Sequence, residues 1–189
     1  MTFLKENFAN ILTVSRLFLL PIMIGLFYLE PAWGGWAAWL CGLVYAIAAV
    51  TDFFDGYVAR KYNQTSAFGT FLDPISDKIF VATLMILLVG AGRIAGLWLL
   101  PVIVIFAREF LISGLREFLG PKNVQVPVMR LAKWKTASQM LAIFFLIIGP
   151  YAPYALGLGL WLLMIAAVLT VITGAEYMIA GAKHFRTPE

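Results

Sequence analysis

The sequence predicts an all-α, polytopic membrane protein with six transmembrane helices, and three observations carry that prediction. Hydrophobic residues make up 62% of the 189 and charged residues only 13%. Mean hydropathy is +0.89, far above the range of a soluble domain. Apolar runs long enough to cross a roughly 30 Å hydrocarbon layer recur along the whole chain. The formal net charge of +4 therefore belongs to a membrane surface. It suits anionic lipid or phosphorylated ligands, and no motif for nucleic acid is present.

The elements follow in order. The opening "MTFLKENF" alternates apolar and polar residues at roughly helical spacing, which fits an N-terminal helix lying along the interface; a short disordered tail is the alternative. The first apolar run, Ile11 to Leu29, follows Lys5 and has Arg16 near its start, has no small-residue cleavage site and is about a full span long, so it reads as a membrane helix rather than a cleaved signal. The next runs are Trp33 to Phe54, Phe68 to Val89, Leu97 to Phe118, Thr136 to Ile148 and Tyr154 to Ile179. Between the fourth and fifth lies the longest polar segment, "REFLGPKNVQVPVMRLAKWK", punctuated by Gly and Pro. With the N-terminus inside, every Lys and Arg except Arg93 falls at a cytoplasmic end. Both termini are then cytoplasmic, and Trp33, Trp36 and Trp98 sit near the outer boundary. No internal repeat or soluble linker divides the chain, so residues 1–189 are expected to form a single domain. The lone Cys41 can form no intrachain disulfide and reads as a packing residue.

All four aspartates of this apolar chain stand in one stretch, "VTDFFDGYVARKYNQTSAFGTFLDPISDK", Val50 to Lys78. At about 100° per residue, Asp52, Asp55, Gly56, Ala59 and Arg60 share one helical face, and Gly69, Asp73, Ser76 and Asp77 share a face of the next helix. Two helices joined by a short turn thus each present two carboxylates. Packed together they cannot all stay ionised near hydrocarbon without compensation, and divalent cations are the natural compensation. Carboxylates at i, i+3 and i, i+4 suit a pair of metals bridged by shared ligands. All-oxygen ligands favour Mg²⁺ or Mn²⁺ over zinc. Simpler roles exist for single members: Asp73 before Pro74 could be a helix N-cap, and Asp52 could pair with Arg60 or Lys78. Neither accounts for the set of four.

The order Asp52, two residues, Asp55-Gly56, two residues, Ala59-Arg60, eight residues, Gly69, three residues, Asp73, three residues, Asp77 resembles, without departure, the signature of the CDP-alcohol phosphatidyltransferases. Six membrane helices with this motif across the second and third are that family's fold, so the resemblance covers most of the chain. The segments "ILTVSRLFLLPIM", "FAREFLISGLREF" and "KWKTASQM" look most like those of its bacterial members that join CDP-diacylglycerol to sn-glycerol 3-phosphate and release CMP. The resemblance implies that Asp52 and Asp73 bridge two ions, that Asp55 completes one shell, and that Asp77 ligates the other and serves as general base. It also implies that Gly56 admits the cytidylyl group, Arg60 binds diphosphate and Ser66 helps hold the nucleotide, although Ser66 could instead bond its own turn. Asn10, Thr13 and Arg16 match the family's N-terminal spacing and could contact the nucleotide; an N-cap role for Asn10 and a topological role for Arg16 are alternatives. A homodimer in the bacterial cytoplasmic membrane, with the site facing the cytoplasm, is the implied assembly.

The acceptor site must come from elsewhere. Arg108, Glu109, Ser113 and Arg116 form a polar stripe near the cytoplasmic end of the fourth helix, and Lys133 and Lys135 begin the fifth. Cations converging from two helices would hold a second phosphate, which favours a phosphorylated acceptor over a plain alcohol. Glu109 would orient one of the arginines. Topology alone already explains cytoplasmic Lys and Arg, but poorly explains Arg108 among apolar neighbours. Two further readings are a relative that uses the same donor with inositol phosphate or a lipid, and a transporter whose aspartates bind a permeating cation. The transporter is disfavoured because the aspartates share one depth. His184, the only histidine, carries no catalytic expectation.

Overall fold

The computed structural model describes residues 2–62, 67–120 and 130–182, with side chains described outside 2–15, 52–62, 67–70, 73, 130 and 182. Among the described residues there is no strand. The elements are α1 (Thr2–Trp33), α2 (Gly35–Tyr62), α3 (Ala67–Gly90), α4 (Leu99–Leu119), α5 (Arg130–Ile148) and α6 (Ala155–Ala182), with 3-10 turns at Gly96–Trp98 and Gly149–Tyr151. Stretches long and apolar enough to cross a membrane are Arg16–Trp33, Gly96–Leu119, Leu131–Tyr151 and Ala155–Gly181, and Gly35–Thr51 is a shorter apolar one. With 24 residues, α3 is about 36 Å long at 1.5 Å per residue, also enough to span. Large apolar side chains such as Phe18, Ile86, Phe110 and Ile179 are exposed, as expected where the solvent is lipid.

Two boundaries differ from the apolar runs. The leading residues are helical, as expected of an interfacial segment, but they run into the first span without a break, so α1 is a single helix of 32 residues. Helix α5 starts at Arg130, six residues before the apolar run at Thr136, because the intervening Lys and Trp are good enough helix formers to extend it.

The chain divides into two compact units, Met1–Arg93 with Phe144–Leu156, and Ile94–Ile143 with Gly157–Glu189. In the first, α1 packs against both α2 and α3. The Tyr45 and Phe80 rings stack at 5.9 Å between α2 and α3, and Met23, Cys41, Leu84, Met85 and Leu88 are buried. In a hydrocarbon solvent such contacts stabilise by close packing rather than by leaving water, so small residues matter at the crossings. A Cβ on Gly42 would meet Ile148 Cγ2 at 2.9 Å.

Two glycines make the tight ends of this unit. Gly34, at φ 61°, donates its N–H to Glu30 O at 2.7 Å and closes α1. Gly92, at φ 71°, donates to Val89 O at 3.0 Å while Arg93 N–H donates to Leu88 O at 3.0 Å, the paired bonds of a Schellman end to α3. That turn aims the Arg93 side chain inward. Its guanidinium donates to Leu146 O at 3.0 Å and to Ile147 O, pairs with Glu30, and lies 5.1 Å from the Phe27 ring. Arg93 thus satisfies carbonyls that the last turn of α5 leaves without intrahelical partners.

In the second unit, Ile112, Leu115 and Leu119 of α4 pack with Tyr177 and Met178 of α6. Gly181 lets the two helices meet, since a Cβ there would lie 2.9 Å from both methyls of Leu115. Trp98 and Trp161 meet edge to face at 5.6 Å.

Candidate active site

Helices α2 and α3 carry the aspartate motif. Their described backbone places Asp52, Asp55, Gly56 and Arg60 in the last turns of α2, and Asp73 and Asp77 in the first turns of α3. Ser66 lies outside the described residues, as do the side chains of Asn10, Thr13, Asp52, Asp55, Arg60 and Asp73. Asp77 is described, and it is paired with Arg16 of α1. The two partners differ in setting: the Asp77 side chain is 56% exposed and the Arg16 side chain 11%. A largely enclosed cation therefore holds an acceptor-only oxygen at an accessible position. In the sequence Arg16 and Asp77 stood as separate candidates, and their pairing joins α1 to the motif.

The donor set fits a divalent-metal site by its chemistry. Four carboxylates at i, i+3 and i, i+4 on two helices offer only hard oxygen ligands.

In the second unit a polar network lies among apolar helices. Glu109 Oε1 accepts from Arg108 Nη1 at 3.3 Å and from Lys135 Nζ, tying α4 to α5. Lys135 is only 8% exposed. Arg108 Nη2 donates to Thr173 Oγ1 at 3.3 Å, and Thr173 Oγ1 in turn donates to Leu169 O at 2.8 Å. Arg116 Nη2 donates to Tyr177 Oη at 3.2 Å. Both guanidiniums lie over the Tyr177 ring, Arg108 at 5.6 Å and Arg116 at 5.2 Å. Three buried polar atoms, Arg108 Nε, Thr170 Oγ1 and Glu176 Oε2, have no hydrogen-bond partner among the described residues.

Of the acceptor candidates, the structure brings Arg108, Glu109 and Lys135 together directly and joins Arg116 to them through Tyr177. Lys133 stands at an exposed position of α5 and makes no ion pair among the described residues. The sequence reading missed the contribution of α6 altogether. Thr170, Thr173, Glu176 and Tyr177 recur at helical spacing in the most hydropathic of the spans among the described residues, and polar residues within a span are a signal of a functional face.

The family model for CDP-alcohol phosphatidyltransferase matches residues 6–172. A protein of Rickettsia bellii named CDP-diacylglycerol--glycerol-3-phosphate 3-phosphatidyltransferase is 43% identical over 185 residues, covering 96% of this chain and 99% of its own length. Proteins of the same name from Pseudomonas fluorescens and Escherichia coli K12 are 42% and 39% identical, over 96% and 94% of this chain and 93% and 96% of their own lengths. With the aspartate spacing, the six helices and matches of this extent, the chain belongs to the CDP-alcohol phosphatidyltransferase family.

Proposed function

We infer that this chain transfers the phosphatidyl group of CDP-diacylglycerol to sn-glycerol 3-phosphate, giving phosphatidylglycerophosphate and CMP. The observation that carries the choice of acceptor is the charge of the α4–α5–α6 network. Glu109 pairs with Arg108 and Lys135 while Arg116 is held by the Tyr177 hydroxyl, so among the described residues of this network three cations share one ion-paired carboxylate. Even with Glu176 counted, the network remains cationic. Uncompensated charge among apolar helices is costly, and a phosphate monoester of charge about −1.5 to −2 matches it. The relatives named above carry the same activity in their names.

Members of this family depend on divalent metal. Asp52, Asp55, Asp73 and Asp77 would hold two ions, Mg²⁺ or Mn²⁺, which when bound supply neutralisation of the diphosphate charge as CMP leaves. Arg60, Gly56 and Ser66, with Asn10, Thr13 and Arg16 of the first helix, would hold the cytidine diphosphate part of the donor. Arg108, Arg116 and Lys135 would clamp the acceptor phosphate, with Glu109 holding Arg108 and Lys135 in place and Lys133 adding charge nearby. Asp77 would take the proton of the glycerol hydroxyl as its oxygen bonds the lipid-side phosphorus and the bond to CMP breaks. Arg16, already on Asp77, would keep that carboxylate oriented. Residues 1–189 are read as one functional domain, since no linker or shift of composition divides the sequence. The placement of basic residues supports a cytoplasmic site in the bacterial inner membrane, and a homodimer is the assembly the family resemblance suggests.

Purified protein in detergent, given CDP-diacylglycerol, Mn²⁺ and a panel of acceptors, tests this. CMP release with glycerol 3-phosphate, and none with glycerol, is expected. Faster turnover with inositol phosphate would reassign the acceptor, and no turnover with any acceptor would reject transfer.

A further inference from the structure

Arg108 and Arg116 lie on α4, yet the groups that hold their guanidiniums come largely from α6. Tyr177, 2% exposed, is shared by both: its ring lies under one guanidinium at 5.6 Å and the other at 5.2 Å, and its hydroxyl accepts from Arg116 at 3.2 Å. A rigid ring contacted by two cations gives both a common reference, against a repulsion that would otherwise drive them apart. Gly174 supplies the second part. A Cβ there would stand 2.9 Å from Arg108 Cγ and 3.3 Å from Nε, so the missing side chain is the groove in which the arginine stem lies. Thr173, one residue earlier, fixes the outer nitrogen at 3.3 Å. The Arg108 Nε, enclosed and without a hydrogen-bond partner among the described residues, remains as a donor whose direction this groove determines.

We propose that Thr173, Gly174 and Tyr177 of α6 are positioning residues that set the spacing and direction of the Arg108 and Arg116 guanidiniums, and so the affinity for the acceptor's phosphate. The proposal rests on the acceptor clamp described above, and concerns residues that themselves make no contact with substrate. Such residues should act on acceptor binding alone. Removal of the ring in Tyr177→Leu should raise the acceptor KM about tenfold or more, the scale of a lost desolvated cation–π pair. Tyr177→Phe keeps the ring and should recover most of that loss. Gly174→Ala should raise the acceptor KM by a similar factor while leaving the donor KM within about twofold.

The test is steady-state kinetics with each substrate varied in turn, beside thermal melting in detergent, for these variants and for Arg108→Ala. An acceptor KM raised selectively in Tyr177→Leu and Gly174→Ala, with Tyr177→Phe near the parent, supports the proposal. It is overturned if both Michaelis constants rise together, if only kcat falls, or if Tyr177→Phe is as impaired as Tyr177→Leu. Should Tyr177→Leu not yield folded protein, Gly174→Ala and Thr173→Val carry the same test with the same criteria. Arg108→Ala separates the levels: if it leaves the acceptor KM unchanged, the clamp itself fails, whereas a raised KM there with normal Gly174→Ala rejects the α6 template alone.

Discussion

Arg108 and Arg116 are held differently, and the difference predicts how each responds to change. Arg108 has a carboxylate, a hydroxyl, a ring and a glycine groove around it, whereas Arg116 depends on Tyr177 for both its hydrogen bond and its stacking. An ammonium cannot stack flat on the ring and donate two parallel bonds to phosphate. Arg116→Lys is therefore expected to raise the KM for glycerol 3-phosphate about tenfold, with the donor KM nearly unchanged, on the scale of one charge-assisted hydrogen bond. Equal effects on both constants would return Arg116 to a purely topological role. At Asp77 the expectation is larger. Asp77→Asn keeps the shape but removes the proton acceptor, so turnover should fall by about two to four orders of magnitude while CDP-diacylglycerol still binds; near-normal turnover would move the base elsewhere, with Glu109 the next candidate. The four aspartates are legible in the sequence because carboxylates are scarce in a chain only 13% charged and their spacing is regular. Thr173 and Tyr177 are not, since a threonine or tyrosine in an apolar helix is ordinary until its neighbour across the interface is known.

At the scale of elements, five of the six helices are legible because an apolar run of span length admits only a helix: in lipid each backbone polar group needs an internal partner. Their ends are less so. The start of α5 at Arg130 is invisible to hydropathy because Lys133 and Lys135 lower the local average while favouring helix. Arg93 is a similar case. The topology expected from the sequence makes it the one basic residue on the outer side, and in the structure its side chain is 5% exposed and joins Glu30 of α1 to the last turn of α5 through two carbonyls. Breaking a buried pair leaves the remaining charge uncompensated, at a cost of about 3 to 5 kcal/mol. Arg93→Ala should accordingly lower the melting temperature in detergent markedly, and Glu30→Gln combined with Arg93→Gln should recover part of the loss by removing both charges. Unchanged melting in Arg93→Ala would show that the pair adds nothing to the first unit. Because the catalytic candidates lie elsewhere in the sequence, the Michaelis constants of whatever protein remains folded should stay near the parent values.

The family is legible at the scale of the whole chain because its motif is long, and a spacing of many fixed positions is not produced by hydropathy alone. The partition of the chain into units is not, since no composition shift or linker marks it. That partition assigns the chemistry unequally. Every aspartate falls in the first unit, and Arg108, Glu109, Arg116, Lys135, Thr173 and Tyr177 all fall in the second. If the aspartates alone hold metal, its removal should abolish transfer and leave the cationic network intact, because that network is assembled from Arg, Lys, Glu, Thr and Tyr side chains that need no ion to meet. Chelation with EDTA is expected to stop CMP release entirely, with activity restored by Mg²⁺ or Mn²⁺. Titration of the detergent-solubilised protein with inorganic phosphate should meanwhile give the same Kd with and without chelator, within about twofold, since a shift of that size is under 0.5 kcal/mol. The same titration on Arg108→Ala should lose the binding whether or not metal is present. Phosphate affinity that collapses on chelation in the parent protein would place the acceptor phosphate on the metals rather than on Arg108, Arg116 and Lys135, and would overturn the acceptor clamp.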